Sequence, residues 1–257
     1  MDLGLKGKRV FVTGSSRGIG YAISDALLDE GAEVLINARN QNVLENSYKS
    51  MEAKHGRRVS FFCGDMQKRD DIENAADYIN NRYGALDILV ANIGSGKPND
   101  TNQLNITEWE RFFEINVYSA ISTLDVMRPL LIKGKAPAVL LISSVVSKQV
   151  AKAPVGYAAS KSSVRVLNKY LSSMWAEYGI RVNCVLPGNI YFQGGRWEEL
   201  RGENEEEIEK YISESVPMKR FGGPEEVANA AVFLVSERAS FITGAELLID
   251  GGQTSAI

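Results

Sequence analysis

The chain reads as an α/β protein, a doubly wound parallel seven-stranded sheet with helices on both faces, and three observations predict this. Seven short apolar runs rich in β-branched residues alternate with helical patterns along its length. Runs such as Ile88-Leu89-Val90 and Val139-Leu140-Leu141-Ile142 are apolar at every position, as strands covered on both faces must be. A glycine-rich turn, Thr13-Gly14-Ser15-Ser16-Arg17-Gly18-Ile19-Gly20, follows the first run and opens a helix marked by Ala22, Ile23, Ala26 and Leu27.

The first strand covers Arg9 to Thr13. In the turn after it, Gly14 permits the tight bend, Gly18 lets backbone approach a pyrophosphate, and Gly20 lets helix and strand pack closely. The helix N-terminus then faces the anion, with Ser16, Arg17 and Ile19 beside it. The second strand, Glu33 to Asn37, runs into Ala38-Arg39-Asn40; the third, Val59 to Cys63, runs into Gly64-Asp65-Met66. Leu86 to Ala91 forms the fourth and ends at Asn92-Ile93-Gly94. The fifth, Ala138 to Ser143, ends at Ser144; the sixth, Ile180 to Leu186, ends at Pro187-Gly188; the seventh is Glu246 to Ile249. Gly14, Asn92, Ser144 and Pro187 all fall at or just beyond carboxyl ends of strands, where the ligand of such a sheet belongs.

Two long helical patterns matter for function. One runs from about Glu108 to Lys133 and carries Asn116. The other, Val155 to Tyr178, places Val164, Leu167, Leu171, Met174 and Tyr178 along an apolar stripe that reads as packing, with Tyr157 and Lys161 in its first turns. A phenol and an ammonium four residues apart share a helix face, so the cation is expected to stabilise the phenolate and lower the tyrosine pKa into a range suited to proton exchange with an alcohol or ketone oxygen. Ser144, thirteen residues upstream, is placed to hydrogen-bond the same oxygen.

Composition narrows the field. A chain of 257 residues with a formal charge of −3 is large enough for one domain, 1–257, and gives no basic stripe for nucleic acid. It has neither a secretion signal nor a membrane-length apolar run, so a cytoplasmic protein is expected. Cys63 and Cys184 close apolar runs and read as buried thiols. His55, the one histidine, falls at the end of a helical pattern and reads as a surface cap. No metal site and no histidine base is expected from this inventory.

These motifs, in this order and over essentially the whole chain, resemble the short-chain dehydrogenase/reductase family in its single-domain branch, with a general likeness to 3-oxoacyl-carrier-protein reductases and related ketoreductases. The resemblance implies a Rossmann-type fold and a catalytic set of Asn116, Ser144, Tyr157 and Lys161, with Asn116 holding a water that continues the proton relay. It further implies that Lys161 bonds the nicotinamide ribose, that Asp65 contacts adenine beside Met66, and that Pro187-Gly188 lies beside the nicotinamide. It also implies a substrate lid at 189–216 and a homo-oligomer, tetramer or dimer, built on the two long helices. Two departures stand out. Ile93 replaces the usual alanine between Asn92 and Gly94, narrowing the cleft floor, and Phe192 stands where many relatives have a threonine that bonds the nicotinamide amide. The carboxamide is then left to backbone near Ile190 or to Asn189.

No carboxylate stands at the end of the second strand to take a ribose 2′-hydroxyl, whereas Arg39 and Arg17 suit a 2′-phosphate, so NADP(H) is favoured over NAD(H). The expected activity is hydride transfer between NADP(H) and a small-molecule or acyl-thioester carbonyl or secondary alcohol. The competing reading is a non-catalytic NADP(H)-binding redox sensor, against which the retention of all four catalytic side-chain types argues. In the 189–216 segment, Tyr191, Phe192 and Trp197 are candidates either for a substrate pocket or for plain packing, and the acidic run from Glu205 reads as a solvated helix.

Overall fold

The computed structural model describes residues 2–255; the end residues of the expected 1–257 unit lie outside the described residues. In chain order its elements are β1 Arg9–Val12, α1 Gly18–Asp29, β2 Glu33–Ala38, α2 Gln41–His55, β3 Val59–Cys63, α3 Arg69–Tyr83, β4 Ile88–Ala91, α4 Ile106–Phe113, α5 Ser119–Ile132, β5 Ala138–Ile142, α6 Val155–Met174, β6 Arg181–Pro187, α7 Arg196–Glu203, α8 Glu205–Ser215, α9 Pro224–Val235 and β7 Glu246–Ile249. The strands form one sheet in the order β3-β2-β1-β4-β5-β6-β7, with every pairing parallel. Strand order reverses between β1 and β4, and the crevice at that switch point opens above the carboxyl ends of the strands.

Alternation along the strands divides the core into two layers. Val10, Val12, Val34, Ile36, Val90 and Leu140 point to the side covered by α1, α2 and α9, where Ile23, Leu27, Leu44, Val227 and Ala231 meet them. Phe11, Leu35, Leu89, Val139, Leu141 and Leu186 point to the other side, against Ile72, Leu124, Met127 and Val164 of α3, α5 and α6. The seven strand expectations therefore hold to within two residues at either end.

The long pattern expected from Glu108 to Lys133 starts earlier, at an Asn105 cap whose side chain accepts from the Thr107 amide. It is interrupted by a π turn at Glu114–Tyr118. Hydrogen-bond periodicity is invisible to a hydrophobic pattern, and such π turns recur at functional sites. Two minor expectations are overturned. His55 is no surface cap: it is buried, with Nε2 2.6 Å from Asp25 Oδ1, and so docks α2 on α1. Cys63 is exposed rather than buried, because it ends the edge strand β3 at the rim of the sheet; Cys184, in central β6, is buried. Among the described residues no helix is long and apolar enough to cross a membrane, and no group of His, Cys, Asp and Glu is arranged to hold a metal ion.

Candidate active site

A cleft of about 520 Å³ lies along the carboxyl ends of β1 to β6, within the range of small-molecule and cofactor sites. Its walls include Gly14, Ser16, Arg17, Ile19 and Gly20 from the first turn, Arg39 after β2, and Asp65 and Met66 after β3. Asn92 and Gly94 come after β4, Ser144 after β5, Tyr157 and Lys161 from α6, Pro187 from the last position of β6, and Gly188 and Ile190 after it. The sequence therefore anticipated a set of residues that the topology does bring together. Gly18, whose φ is +57°, ends the turn and opens α1.

The N-terminus of α1 has no side-chain cap at Arg17 and no acid in its first turn, leaving backbone N–H groups to face the cleft. Gly14 adopts φ +60°, a region that suits glycine, and a Cβ there would sit 3.1 Å from Ile93 Cγ1. Ile93 packs on the glycine turn and lines the cleft. Asn92 fixes the same turn by donating from Nδ2 to the carbonyls of Thr13 and Gly14 at 3.0 and 2.9 Å.

Around the reactive end, glycine is demanded by crowding. A Cβ on Gly94 would lie 2.7 Å from both Asn116 Oδ1 and Lys161 Nζ, and one on Gly96 would lie 3.0 Å from Tyr157 Cε1. Asn116, 1% exposed in the π turn, donates from Nδ2 to the carbonyls of Ser95 and Phe112 and to Ser160 Oγ, and accepts from the Ser95 amide at 2.9 Å. Its side chain braces the 94–96 loop against α6 from behind the cleft wall, and is fully committed to that task.

The electrostatics differ from the sequence expectation. Burial pushes the Tyr157 phenol above its ordinary pKa, with the Ser144 hydroxyl pulling the other way. The Lys161 ammonium donates to the Ile142 carbonyl at 2.8 Å, and its own pKa is lowered by burial to about 8. The lysine therefore shares the helix face of the tyrosine as the spacing requires, yet the tyrosine pKa is shifted upward, since loss of water around a buried phenol outweighs the opposing hydrogen bond. Arg17, expected near a phosphate, donates from Nη1 to Gly194 O at 3.0 Å, while Arg39 lines the wall. Ile190 lines the cleft, whereas Asn189 turns into a separate small pocket with Val216, Met218 and Arg220, so its side chain is not the carboxamide partner there.

Phe192 and Trp197 line the cleft, and Phe192 lies so close over Gly18 that a Cβ there would fall 2.7 Å from its ring. Tyr191 instead packs on Phe221, and Trp197 also stacks on Tyr211 at 5.6 Å between ring centroids. Sequence reasoning missed three contributors. Asn37 is fully buried and clips β2 to the glycine turn and to the end of β3, accepting from Gly14 N and donating to Phe62 O and Gly64 O. Lys97 and Glu199 face one another at the mouth, 3.0 Å apart. A polar residue inside an otherwise apolar strand was the available signal for Asn37; nothing local signals a pair joined across 102 positions (199 minus 97).

A family model described as enoyl-(acyl carrier protein) reductase matches residues 14–254. Glucose 1-dehydrogenase 2 of Bacillus subtilis is 35% identical over 256 residues, covering 97% of this chain and 96% of its own. Two solved structures are similar throughout: L-sorbose reductase of Gluconobacter frateurii in complex with NADPH and L-sorbose, at TM-score 0.93, 30% identity and full coverage of both chains, and 7α-hydroxysteroid dehydrogenase with NADH and a 7-oxo bile acid, at TM-score 0.88 and 28% identity over 98% of this chain and 96% of that one. With the parallel sheet, the glycine turn and the clustered Ser144, Tyr157 and Lys161, these likenesses place the chain in the short-chain dehydrogenase/reductase family of oxidoreductases.

Proposed function

We propose that the chain transfers hydride between NADP(H) and a carbonyl or secondary-alcohol substrate, with Tyr157 as general acid and base. The observation that carries this reading is the meeting of Tyr157, Ser144 and Lys161 in one cleft with an uncapped helix N-terminus at its other end. The residues suit a dinucleotide: the cleft is of cofactor size, and the uncapped α1 N–H groups suit a pyrophosphate. Bound NADPH would supply the hydride.

The rest is the work of this chain. A phenol whose pKa is raised holds its proton at neutral pH and is therefore ready to donate it as negative charge grows on the carbonyl oxygen. The Ser144 hydroxyl hydrogen-bonds that oxygen, and the Lys161 ammonium, one turn along α6, stabilises the phenolate left behind. Oxidation reverses these steps, with Tyr157 taking the proton. Asn116 keeps Gly94 and Ser95 in place, and is a positioning residue in this account.

Arg17 and Arg39 support NADP(H) over NAD(H), since both border the cleft and no acid ends β2. The similar structures carry both cofactors, so the choice rests on these residues. Segment 189–216, which carries α7 and α8, is proposed as the substrate lid. Exposed Tyr118 in the π turn, Ile121 on α5, and Val166, Tyr170 and Met174 on α6 support a homo-oligomer, and analytical ultracentrifugation showing only monomer at working concentration would remove that part of the reading. The deciding experiment is Tyr157→Phe assayed by NADPH absorbance on a carbonyl panel. Turnover should drop by roughly 10²–10⁴-fold with NADPH binding kept, the range for loss of a general acid; near-normal turnover excludes Tyr157 from the role.

A further inference from the structure

The mouth of the cleft holds a charge arrangement that the hydride chemistry does not use. Lys97 Nζ and Arg196 Nη1 converge on a single atom, Glu199 Oε2, at 3.0 and 3.2 Å. All three residues border the cleft that contains Tyr157, and Lys97 follows directly on Gly96, which lies against the Tyr157 ring. The two cations hold the Glu199 carboxyl below its usual range.

The two partners of this contact are anchored very differently. The Lys97 segment is fixed: Arg111 Nη2 donates to Lys97 O at 2.7 Å, and Glu108, largely buried, accepts from Arg111 and from the Asn99 amide at 2.9 Å. The same α4 turn reaches the reactive centre, because the Arg111 guanidinium covers the Phe112 ring and Phe112 packs on Tyr157. Glu199, by contrast, sits on α7, a two-turn helix with no buried residue. An exposed ion pair of this kind is held weakly. Arg196 Nη1 also lies 3.9 Å from Glu203 Oε1, whereas the ion pair of Lys97 among the described residues is with Glu199, so displacing Glu199 frees Lys97 for another anion.

Building on the oxidoreductase reading, we propose that the Lys97 and Arg196 pair is an anion subsite, that Glu199 occupies it as an internal stand-in, and that the substrate carries a carboxylate or phosphate besides its hydroxyl or carbonyl. The substrate anion displaces Glu199 and takes the charge-assisted hydrogen bonds that Glu199 now accepts, so its charged end is fixed at the mouth while its reacting carbon lies by Tyr157.

The test is calorimetry on the NADPH-loaded chain with three matched probes: D-glucitol, which is neutral, D-gluconate, which replaces a terminal alcohol by a carboxylate, and D-glucitol 6-phosphate. At least one anion should bind about tenfold or more tightly than D-glucitol, the return expected from a charge-assisted contact. Whichever anion binds more tightly identifies the source of the charge. Lys97→Gln should erase the preference and Lys97→Arg restore it, while Glu199→Gln should strengthen anion binding because the competitor is gone. Equal affinity for all three probes, or Glu199→Gln weakening the anion as Lys97→Gln does, overturns the inference, since a mere lid latch loses function from either side. The outcome separates from that of the redox reading. A chain that binds D-gluconate through Lys97 but reduces no carbonyl supports the subsite and sinks the hydride chemistry; one that reduces neutral carbonyls without any anion preference does the reverse.

Discussion

The two ends of the same sheet are built on opposite principles. At the amino end of β1 and β4, Arg9 and Asp87 meet in a two-point ion pair at 2.6 and 2.7 Å, and Asp87 also accepts from the amides of Arg9 and Lys135. Burial alone would push the Asp87 carboxyl up, but these four hydrogen bonds outweigh it and hold the carboxyl below its ordinary range. At the carboxyl end, burial wins instead: the Tyr157 phenol is raised, and the Lys161 ammonium, with one carbonyl as partner, is lowered to about 8. The first end spends its charged groups on each other, whereas the second keeps them available for a ligand. The direction in which buried groups are shifted thus separates the two ends, and on the proposed function the cleft is the end where burial tunes the reacting groups.

The contrast is broken most severely by paired substitutions. Tyr157→Phe, beyond its loss of turnover, should leave thermal stability unchanged or slightly raised, because it removes a desolvated hydroxyl from the cleft. Asp87→Ala should do the opposite, costing about 3–5 kcal/mol by leaving the Arg9 charge without its partner. Chemical denaturation alongside turnover per folded molecule measures both; an Asp87 variant that keeps its stability but loses turnover would erase the distinction between the ends.

Acid and base should also act at different ends. The Asp87 carboxyl, lowered in the folded state, contributes stability that is present above its ordinary pKa near 3.8 and is lost as pH falls through the folded value. Lys161 works the other way. Below about 8 it is charged in both folded and unfolded chains, so the penalty of burying the charge is in force; as pH rises from about 8 towards 10.5 the folded chain sheds the proton first and that penalty is relieved. On the proposal that the Lys161 ammonium bonds the cofactor, NADPH affinity should accordingly weaken above about pH 8 while stability does not fall from this cause. Titration calorimetry at pH 7 and 9 checks the sign, and an affinity that is flat across the range removes the role of the ammonium.

A smaller effect sharpens the cofactor end of the cleft. Arg39→Asp should shift kcat/KM preference from NADPH towards NADH by roughly tenfold or more, one or two charge-assisted hydrogen bonds' worth. Comparable efficiency with both cofactors in the unsubstituted chain would dispose of the arginine argument.

Much of this was legible in linear order, and the reason differs from residue to residue. Tyr157 and Lys161 show their shared face because helix geometry is local, and the Gly14 to Gly20 turn shows its role because it lies between a strand and a helix. His55 and Cys63 were misread because burial depends on what another element brings: Asp25 on α1 covers one, and the edge position of β3 exposes the other. Asn116 was found, but its service as a brace depends on a π turn that hydrophobic spacing does not encode.

By itself the sequence determined the seven strands, their two-sided burial, the phosphate-suited turn and the residue types of the site, since periodicity and glycine placement act over a few residues. Only the tertiary structure decided the charge states and alliances there: the raised Tyr157, the Lys161 held on Ile142, the turning of Asn189 away from the cleft, and Lys97 and Arg196 closing on Glu199. Those properties follow from desolvation and from distances between groups remote in the chain, which folding sets and linear order does not contain.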